Sequence, residues 1–192
     1  MAAIEKKIYY FERPGKENAE DCLKFSLNAV TEMGLKDVVV ATTGGDTGLI
    51  YSEAFKGKGI NLIAVTHSHG FKEANTDEIQ PEIASKIKQN GAILYTGTMV
   101  THSIESAFAQ KFNGLYPTLI VAQSLRRFGE GTKVCCEIVM MAADAGLIAE
   151  GVDVLAVAGT GRGADTVLVI RSAASKRFFD LKILEIIAKP RL

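Results

Sequence analysis

Two hydrophobic patterns alternate along the first half of the chain: apolar residues at helical spacing, and short continuous apolar runs. Between residues 18 and 33 the apolar positions recur every three or four residues and stop at Gly34, which predicts a helix. Residues 37–41, DVVVA, are typical of a strand buried on both faces of a parallel sheet. The pattern repeats, with strands predicted at 61–66 and 92–95 and helices through 51–55, over 81–89 and from 103. Three such units predict an α/β fold with a largely parallel sheet.

The second half begins with a long helical pattern, residues 117–150, interrupted at the glycines of 129–131. Because residues 134–148 are apolar almost all round, this helix is expected to be buried against the sheet or a second subunit. A fourth strand is predicted at 152–158, followed by a glycine-rich turn. Residues 166–171 are rich in β-branched side chains, so the chain is expected to turn back as a strand. Further strands are predicted at 7–11 and 181–187.

The length and composition fit an ordinary globular chain, and we expect 1–192 to form one domain. The 22 basic residues balance 22 acidic ones, which argues against a general nucleic-acid binder or a protein held on anionic membranes. No signal-peptide pattern or long apolar stretch occurs. The three cysteines, Cys22, Cys135 and Cys136, form no CxxC motif, so the expected location is the reducing cytoplasm.

Much of the glycine is concentrated in two loops that also carry threonine. Residues 42–48, TTGGDTG, follow the first buried strand, and residues 159–165, GTGRGAD, follow the fourth. Such loops offer unhindered backbone N–H groups, hydroxyls and, in the first loop, a helix N-terminus, all of which suit a phosphate. The predicted ligand-binding residues in these loops are Thr42, Thr43, Gly44, Gly45, Asp46, Thr47, Gly159, Thr160, Gly161, Arg162 and Gly163. Two alternatives remain open: the glycines only permit tight turns, and Asp46 only caps a helix.

Several familiar motifs are excluded. Residues 159–164 match G-x-G-x-x-G/A, but a strand follows where a dinucleotide-binding fingerprint needs a helix. No Walker-type phosphate loop occurs, and Ser68 and Ser103 lack the context of a hydrolase nucleophile. The adjacent Arg126 and Arg127 are expected to form a solvated helix end, with phosphate binding or subunit contact as the less favoured uses.

The histidines are concentrated at the ends of two neighbouring strands. His67 and His69 share one loop and His102 follows the next strand, so all three are expected near the same rim of the sheet. Metal binding, hydrogen bonding or acid–base work on a ligand, and plain loop structure all remain open. His67 is the preferred catalytic candidate because it directly follows its strand. Thr98, at the end of the third strand, is predicted to line the same pocket.

The order of these segments resembles that of the C-terminal domain of pyruvate kinase: residues 37–48 and 61–67 come before the long helix, and residues 152–170 come after it. It resembles still more a family of stand-alone prokaryotic and archaeal proteins of that fold. The resemblance covers roughly residues 15–172 and implies a three-layer α/β/α sandwich of strand order 3-2-1-4-5, with the last strand antiparallel. In pyruvate kinase this domain binds a phosphorylated effector. This chain carries no catalytic barrel and lacks the basic effector loop, so neither kinase activity nor the effector follows.

That strand order places the loops 42–48 and 159–166 opposite each other at the topological switch point, where open α/β sheets bind ligands. The resemblance implies a phosphorylated small molecule there, most plausibly flavin mononucleotide (FMN), and a possible flavin-dependent oxidoreductase. Tyr51, Phe71 and Tyr95 are the rings available to stack on a flavin. The alternatives are a regulatory domain that senses a phosphorylated metabolite and a metal-dependent hydrolase built on the three histidines. A homo-oligomer is expected.

Overall fold

The computed structural model describes residues 3–191, which form one sheet of seven strands flanked by six α-helices. The strands are β1 (Tyr9–Phe11), β2 (Asp37–Ala41), β3 (Asn61–Val65), β4 (Ile93–Tyr95), β5 (Asp153–Ala158), β6 (Thr166–Arg171) and β7 (Lys182–Pro190). The helices are α1 (Ala19–Met33), α2 (Asp46–Phe55), α3 (Pro81–Gln89), α4 (Ile104–Phe112), α5 (Pro117–Leu125) and α6 (Glu130–Asp144).

The strands lie in the order β1-β7-β6-β5-β2-β3-β4. Strands β4, β3, β2 and β5 are mutually parallel, and β6 runs antiparallel to β5. This confirms the expected 3-2-1-4-5 core with its antiparallel last strand. Beyond that core, β7 pairs antiparallel with β6, and β1 adds a short parallel edge to β7.

Each central strand contributes side chains to two separate hydrophobic cores, one on each face of the sheet. In β2, Val38 and Val40 pack with α1, α2 and α3, whereas Val39 packs with α6 on the opposite face. Because side chains alternate between the faces of a strand, a strand covered on both faces must be apolar at every position. This explains why the strands appear in the sequence as continuous apolar runs.

The long helical pattern of residues 117–150 differs from the structure in its bounds. A short 3₁₀ turn, Arg126–Phe128, and Gly129 separate α5 from α6, close to the expected interruption. Helix α6 ends at Asp144 instead of continuing to residue 150, because Gly146 adopts a left-handed φ of 69°. The N–H of Leu147 then donates to the carbonyl of Ala142, which is the 6→1 hydrogen bond of a Schellman motif at a helix C-terminus.

Within residues 3–191, no helix is long and apolar enough to cross a membrane.

Candidate functional site

A pocket of about 290 Å³ opens at the carboxyl ends of β2, β3 and β5. Its wall on one side is formed by the loops that follow these strands, and on the other by one face of α6. This is the switch point of the sheet, since the chain leaves β2 toward β3 on one side and β5 pairs on the other. Its polar lining side chains are Thr42, Thr43, Asp46, Thr47, Thr66, His67, His102, Arg126, Glu130, Lys133, Glu137 and Arg162.

The loop after β2 brings unpaired backbone donors to the pocket. Gly45 adopts a left-handed φ of 102° and immediately precedes α2, which begins at Asp46. The N–H groups of Gly44 and Gly45 donate to no described residue, and the first N–H groups of any helix lack partners within it. Asp46 makes no capping hydrogen bond and is exposed at the pocket, so the capping alternative finds no support.

The loop after β5 is held by a buried carboxylate. Asp165, fully buried, accepts hydrogen bonds from the N–H of Thr160 at 3.0 Å, the N–H of Gly15 at 3.1 Å and the hydroxyl of Thr166 at 2.8 Å. These bonds fix the turn that carries Arg162. Asp165 is the last residue of the GTGRGAD motif, but the motif alone does not indicate that it holds the turn.

The two glycine-rich loops meet in space. A Cβ built on Gly44 would lie 3.1 Å from Nη1 of Arg162, so the guanidinium rests directly against the first loop. Arg162 is exposed and forms no ion pair within residues 3–191. A cation with no ion-pair partner among the described residues therefore lies beside backbone N–H groups that donate to none of those residues, an arrangement that attracts an anion.

Not every predicted residue lines the pocket. The residues of the two loops that do so are Thr42, Thr43, Gly44, Asp46, Thr47, Gly159, Gly161, Arg162 and Gly163. Gly45 and Thr160 do not line the pocket, and neither does Thr98, which is exposed. Gly45 also has a packing reason to be glycine, since a Cβ there would lie 2.4 Å from Cγ2 of Ile83. Packing alone therefore accounts for Gly45, whereas Gly44 faces the pocket and Arg162.

His67 lies between a carboxylate and a hydroxyl. Its Nδ1 is 2.6 Å from Oε2 of Glu78, and its Nε2 is 3.3 Å from Oγ1 of Thr43. In the neutral tautomer that carries its proton on Nδ1, His67 donates to the Glu78 carboxylate and Nε2 can accept from the Thr43 hydroxyl. The ring of Phe71 packs against His67 with centroids 4.3 Å apart and meets His102 edge-on at 5.8 Å.

The three histidines do not converge on one point. His69 is exposed and pairs with Asp77 outside the pocket, whereas His67 and His102 both line it. In the described part of the chain, no three metal-ligating side chains lie close enough to hold an ion. The arrangement therefore gives the metal-dependent hydrolase no support.

The two tyrosines that were predicted to stack on a ligand do not line the pocket. Tyr51 is buried in the core, where its hydroxyl bonds to that of Ser26 at 2.9 Å. Tyr95 also lies outside the pocket lining, so Phe71 alone of the three predicted rings reaches the pocket.

The α6 wall carries a buried ion pair that the sequence did not reveal. Lys133 and Glu137, one helical turn apart, are in contact, and their side chains are only 2% and 3% exposed. Glu137 also accepts hydrogen bonds from the N–H of Thr101 at 2.8 Å and from its hydroxyl at 2.6 Å. The pair thus ties α6 to the loop after β4. The i, i+4 spacing of opposite charges inside an otherwise apolar segment was the available signal.

Burial opposes the charge on both members of this pair. Burial raises the pKa of Glu137, but its contacts with His102, Lys133 and Thr101 outweigh that effect and lower the pKa to about 2. Burial lowers the pKa of Lys133, and the neighbouring Glu137 carboxylate only partly compensates. Glu137 is therefore ionised at neutral pH and serves as an anchor, since a carboxyl with so low a pKa is a poor proton donor.

Arg126 is not part of a solvated helix end, as was expected, but is mostly buried at the pocket. Its side chain is 18% exposed, lines the pocket and donates from Nε to Oε2 of Glu130 at 2.7 Å. Arg127, its neighbour, is exposed and does not line the pocket. Helical spacing could not separate the two, because the segment is a 3₁₀ turn and not a continuation of α5.

The fold and pocket define an α/β domain of three layers with a pocket at its topological switch point. The sequence model described as "Pyruvate kinase, alpha/beta domain" matches residues 20–170, more than half of the chain. The chain therefore belongs to this family, as the resemblance had implied.

Two structures of pyruvate kinase from Cryptosporidium parvum are among the solved structures that match this chain. One is 15% identical with a TM-score of 0.42, and the other, in complex with ADP, is 17% identical with a TM-score of 0.44; each alignment covers 81% of this chain. The chain spans only 23–24% of the length of those kinases. An O-ureido-L-serine synthase is 19% identical over 71% of this chain and 42% of its own, with a TM-score of 0.33.

Proposed function

We propose that the protein binds a phosphorylated small molecule in the pocket between the loops 42–48 and 159–166. The contact between Arg162 and the loop at Gly44 is the observation that carries the proposal. This contact places the Arg162 guanidinium next to the unpaired N–H groups at the start of α2. Among residues 3–191, the guanidinium has no ion-pair partner. Arginine with backbone amides at a helix N-terminus is a recurring phosphate site.

We propose FMN as the ligand to test first, on the strength of the resemblance. The loop N–H groups and Arg162 would hold its phosphate, and the rings of Phe71, His67 and His102 offer contacts for an isoalloxazine. Bound flavin supplies hydride and single-electron transfer, so the protein would then be a candidate oxidoreductase. The pocket, at about 290 Å³, is near the lower limit of about 300 Å³ for drug-sized ligands, which favours compact phosphorylated molecules as well.

The proposal is tested by titrating the purified protein with FMN, followed by quenching of flavin fluorescence, with riboflavin as the ligand that lacks the phosphate. FMN is expected to bind and riboflavin to bind much more weakly. Arg162→Ala should weaken FMN binding by about 1–3 kcal/mol, the usual contribution of a charged hydrogen bond. The absorbance of the freshly purified protein shows whether flavin is retained.

Arg191→Ala is the matched control, since Arg191 is exposed and outside the pocket lining. Calorimetry with phenyl phosphate extends the test to a ligand with no flavin. A protein that binds neither FMN nor phenyl phosphate would contradict the phosphate site. Equal binding of FMN by wild type and Arg162→Ala would remove Arg162 from it.

The second candidate is a regulatory domain that senses a phosphorylated metabolite. Membership of the family favours it, since the chain matches only the α/β domain of a much longer kinase. Binding of a phosphorylated compound with no turnover in the presence of electron donors would favour this role over the oxidoreductase.

We also propose that the protein is a cytoplasmic homo-oligomer. The described cysteines are all free, which suits a reducing compartment. Ile104, Phe108 and Phe112 recur every fourth residue along α4 and are 73%, 48% and 62% exposed, a stripe typical of a contact surface. Light scattering during size-exclusion chromatography tests the oligomer, and a monomer at all concentrations would contradict it.

A further inference from the structure

We propose that Thr43, His67 and Glu78 form a nucleophilic catalytic triad that transfers a phosphoryl group from a phosphomonoester to Thr43. The inference rests on the proposed phosphate site but goes beyond binding, because it assigns a reaction to that site. Threonine or serine activated by a histidine, which is in turn oriented by a carboxylate, is a recurring device for covalent catalysis.

The three side chains have the order and contacts that this chemistry needs. Oε2 of Glu78 lies 2.6 Å from Nδ1 of His67, and Nε2 of His67 lies 3.3 Å from the Thr43 hydroxyl. Thr43 and His67 both line the pocket, and the Glu78 side chain is 20% exposed behind them. The longer outer contact is ordinary for a site without substrate, where such bonds are often loose.

Only one of the three threonines in this loop is available as a nucleophile. The hydroxyl of Thr42 accepts a hydrogen bond from the N–H of Gly48 at 3.0 Å and is buried. Thr47 lies buried in the first turn of α2 and has no histidine contact. Thr43 is half-buried and is the one that contacts His67.

The position of Thr43 also suits transfer of a phosphoryl group. It directly precedes Gly44, where the unpaired N–H groups and Arg162 meet. A phosphate held there places its phosphorus beside the Thr43 hydroxyl, and charge that develops on the phosphoryl oxygens faces fixed donors. Strand β2, the turn and α2 thus form a strand–turn–helix element with the nucleophile in the turn.

The reaction balances without a further reagent. Nε2 of His67 takes the proton of the Thr43 hydroxyl, the oxygen forms a bond to phosphorus, and the ester P–O bond breaks. The leaving alcohol takes the proton from His67. In the second half, His67 removes a proton from water, which attacks phosphorus, and the Thr43–phosphorus bond breaks as the hydroxyl regains its proton. The products are inorganic phosphate and an alcohol.

The test uses p-nitrophenyl phosphate as the substrate and phenyl phosphate as a slowly reacting ligand for binding. We expect release of p-nitrophenolate and, after acid quenching, one phosphoryl group on Thr43 by tandem mass spectrometry. Thr43→Val should abolish both while phenyl phosphate still binds, and Thr43→Ser should restore release. His67→Asn should lower release about 100-fold or more, as loss of a general base does.

Glu78 is a positioning residue, so its variant needs a different readout. Glu78→Gln should lower release and change its pH profile, and Glu78→Asp should recover part of it. Thr31→Val, an exposed threonine on α1, is the matched control and should behave as wild type.

Three outcomes overturn the triad: release that survives in Thr43→Val, a label on another residue, or no release from a protein that binds phenyl phosphate. The last outcome leaves the proposed phosphate site intact. Failure to bind phenyl phosphate removes the phosphate site and the triad together.

Discussion

The buried ion pair of α6 makes the sharpest prediction about stability. Lys133→Met keeps the length of the side chain but leaves the Glu137 carboxylate, 3% exposed, without its countercharge. Removal of one member of a buried pair costs about 3–5 kcal/mol. Thr101 still donates two hydrogen bonds to the carboxylate, so we expect a loss near the lower end, about 3 kcal/mol.

The pH dependence of this loss follows from the pKa of Glu137. In the folded protein it is about 2, below the unperturbed 4.5, so ionised Glu137 stabilises the fold above pH 4.5 and this contribution disappears as the pH falls toward 2. Without Lys133, the pKa of Glu137 in the folded protein is higher than in wild type, so its carboxylate takes up a proton at a higher pH. The difference between variant and wild type should therefore be largest at neutral pH and shrink below pH 4.5.

Equilibrium urea unfolding at several pH values measures both effects. In thermal unfolding at neutral pH, the melting temperature should fall by roughly 6–12 °C for a domain of this size. The double variant Lys133→Met/Glu137→Met should recover most of the loss, because no unpaired charge remains buried. A loss below about 1 kcal/mol, a loss independent of pH, or a double variant no better than the single one would refute the reasoning.

Three other substitutions separate fold from ligand binding. Gly45→Ala should destabilise the protein by about 1–2 kcal/mol or more in urea unfolding, because φ is 102° and its Cβ would overlap Ile83. Gly44→Ala should leave stability nearly unchanged but weaken phenyl phosphate binding, since its Cβ meets only the mobile end of Arg162. Asp165→Asn should reduce stability by about 1–3 kcal/mol and also weaken binding, because the amide replaces one of two accepting oxygens: Oδ2, which serves the N–H groups of Gly15 and Thr160, or Oδ1, which serves the Thr166 hydroxyl. Unchanged binding in Gly44→Ala would show that Arg162 does not act where we place it.

The glycine-rich loops show how far local pattern reaches. The TTGGDTG sequence after a buried run indicated a strand, a turn and a helix start, and all three are present. The same pattern could not tell Gly44 from Gly45, although one faces Arg162 and the other packs on Ile83. That distinction depends on residues of another loop and of α3, which are distant in sequence.

The histidines show the opposite limit. Their positions after two strands predicted a common rim, and His67 and His102 do share the pocket. The partners of His67 come from two different loops, so no sequence spacing predicts its contact with Thr43 or with Glu78. His69, two residues from His67, faces solvent with Asp77, since adjacent loop positions have no fixed periodicity.

The sequence by itself determined the elements, the two-sided burial of the sheet and the places where its loops concentrate glycine and threonine. Those features depend on local periodicity and on residue types that favour strands, helices or turns. Only the tertiary structure decided that the Arg162 guanidinium contacts Gly44 and that the Thr43 hydroxyl contacts Nε2 of His67. It also decided that Lys133 and Glu137, two charged residues of an otherwise apolar helix, line the pocket. The contacts of Arg162 with Gly44 and of Thr43 with His67 join residues far apart in the chain, and the pair of Lys133 and Glu137, one helical turn apart, reaches the pocket through the packing of α6. All three depend on the order in which the strands assemble, which no local pattern encodes.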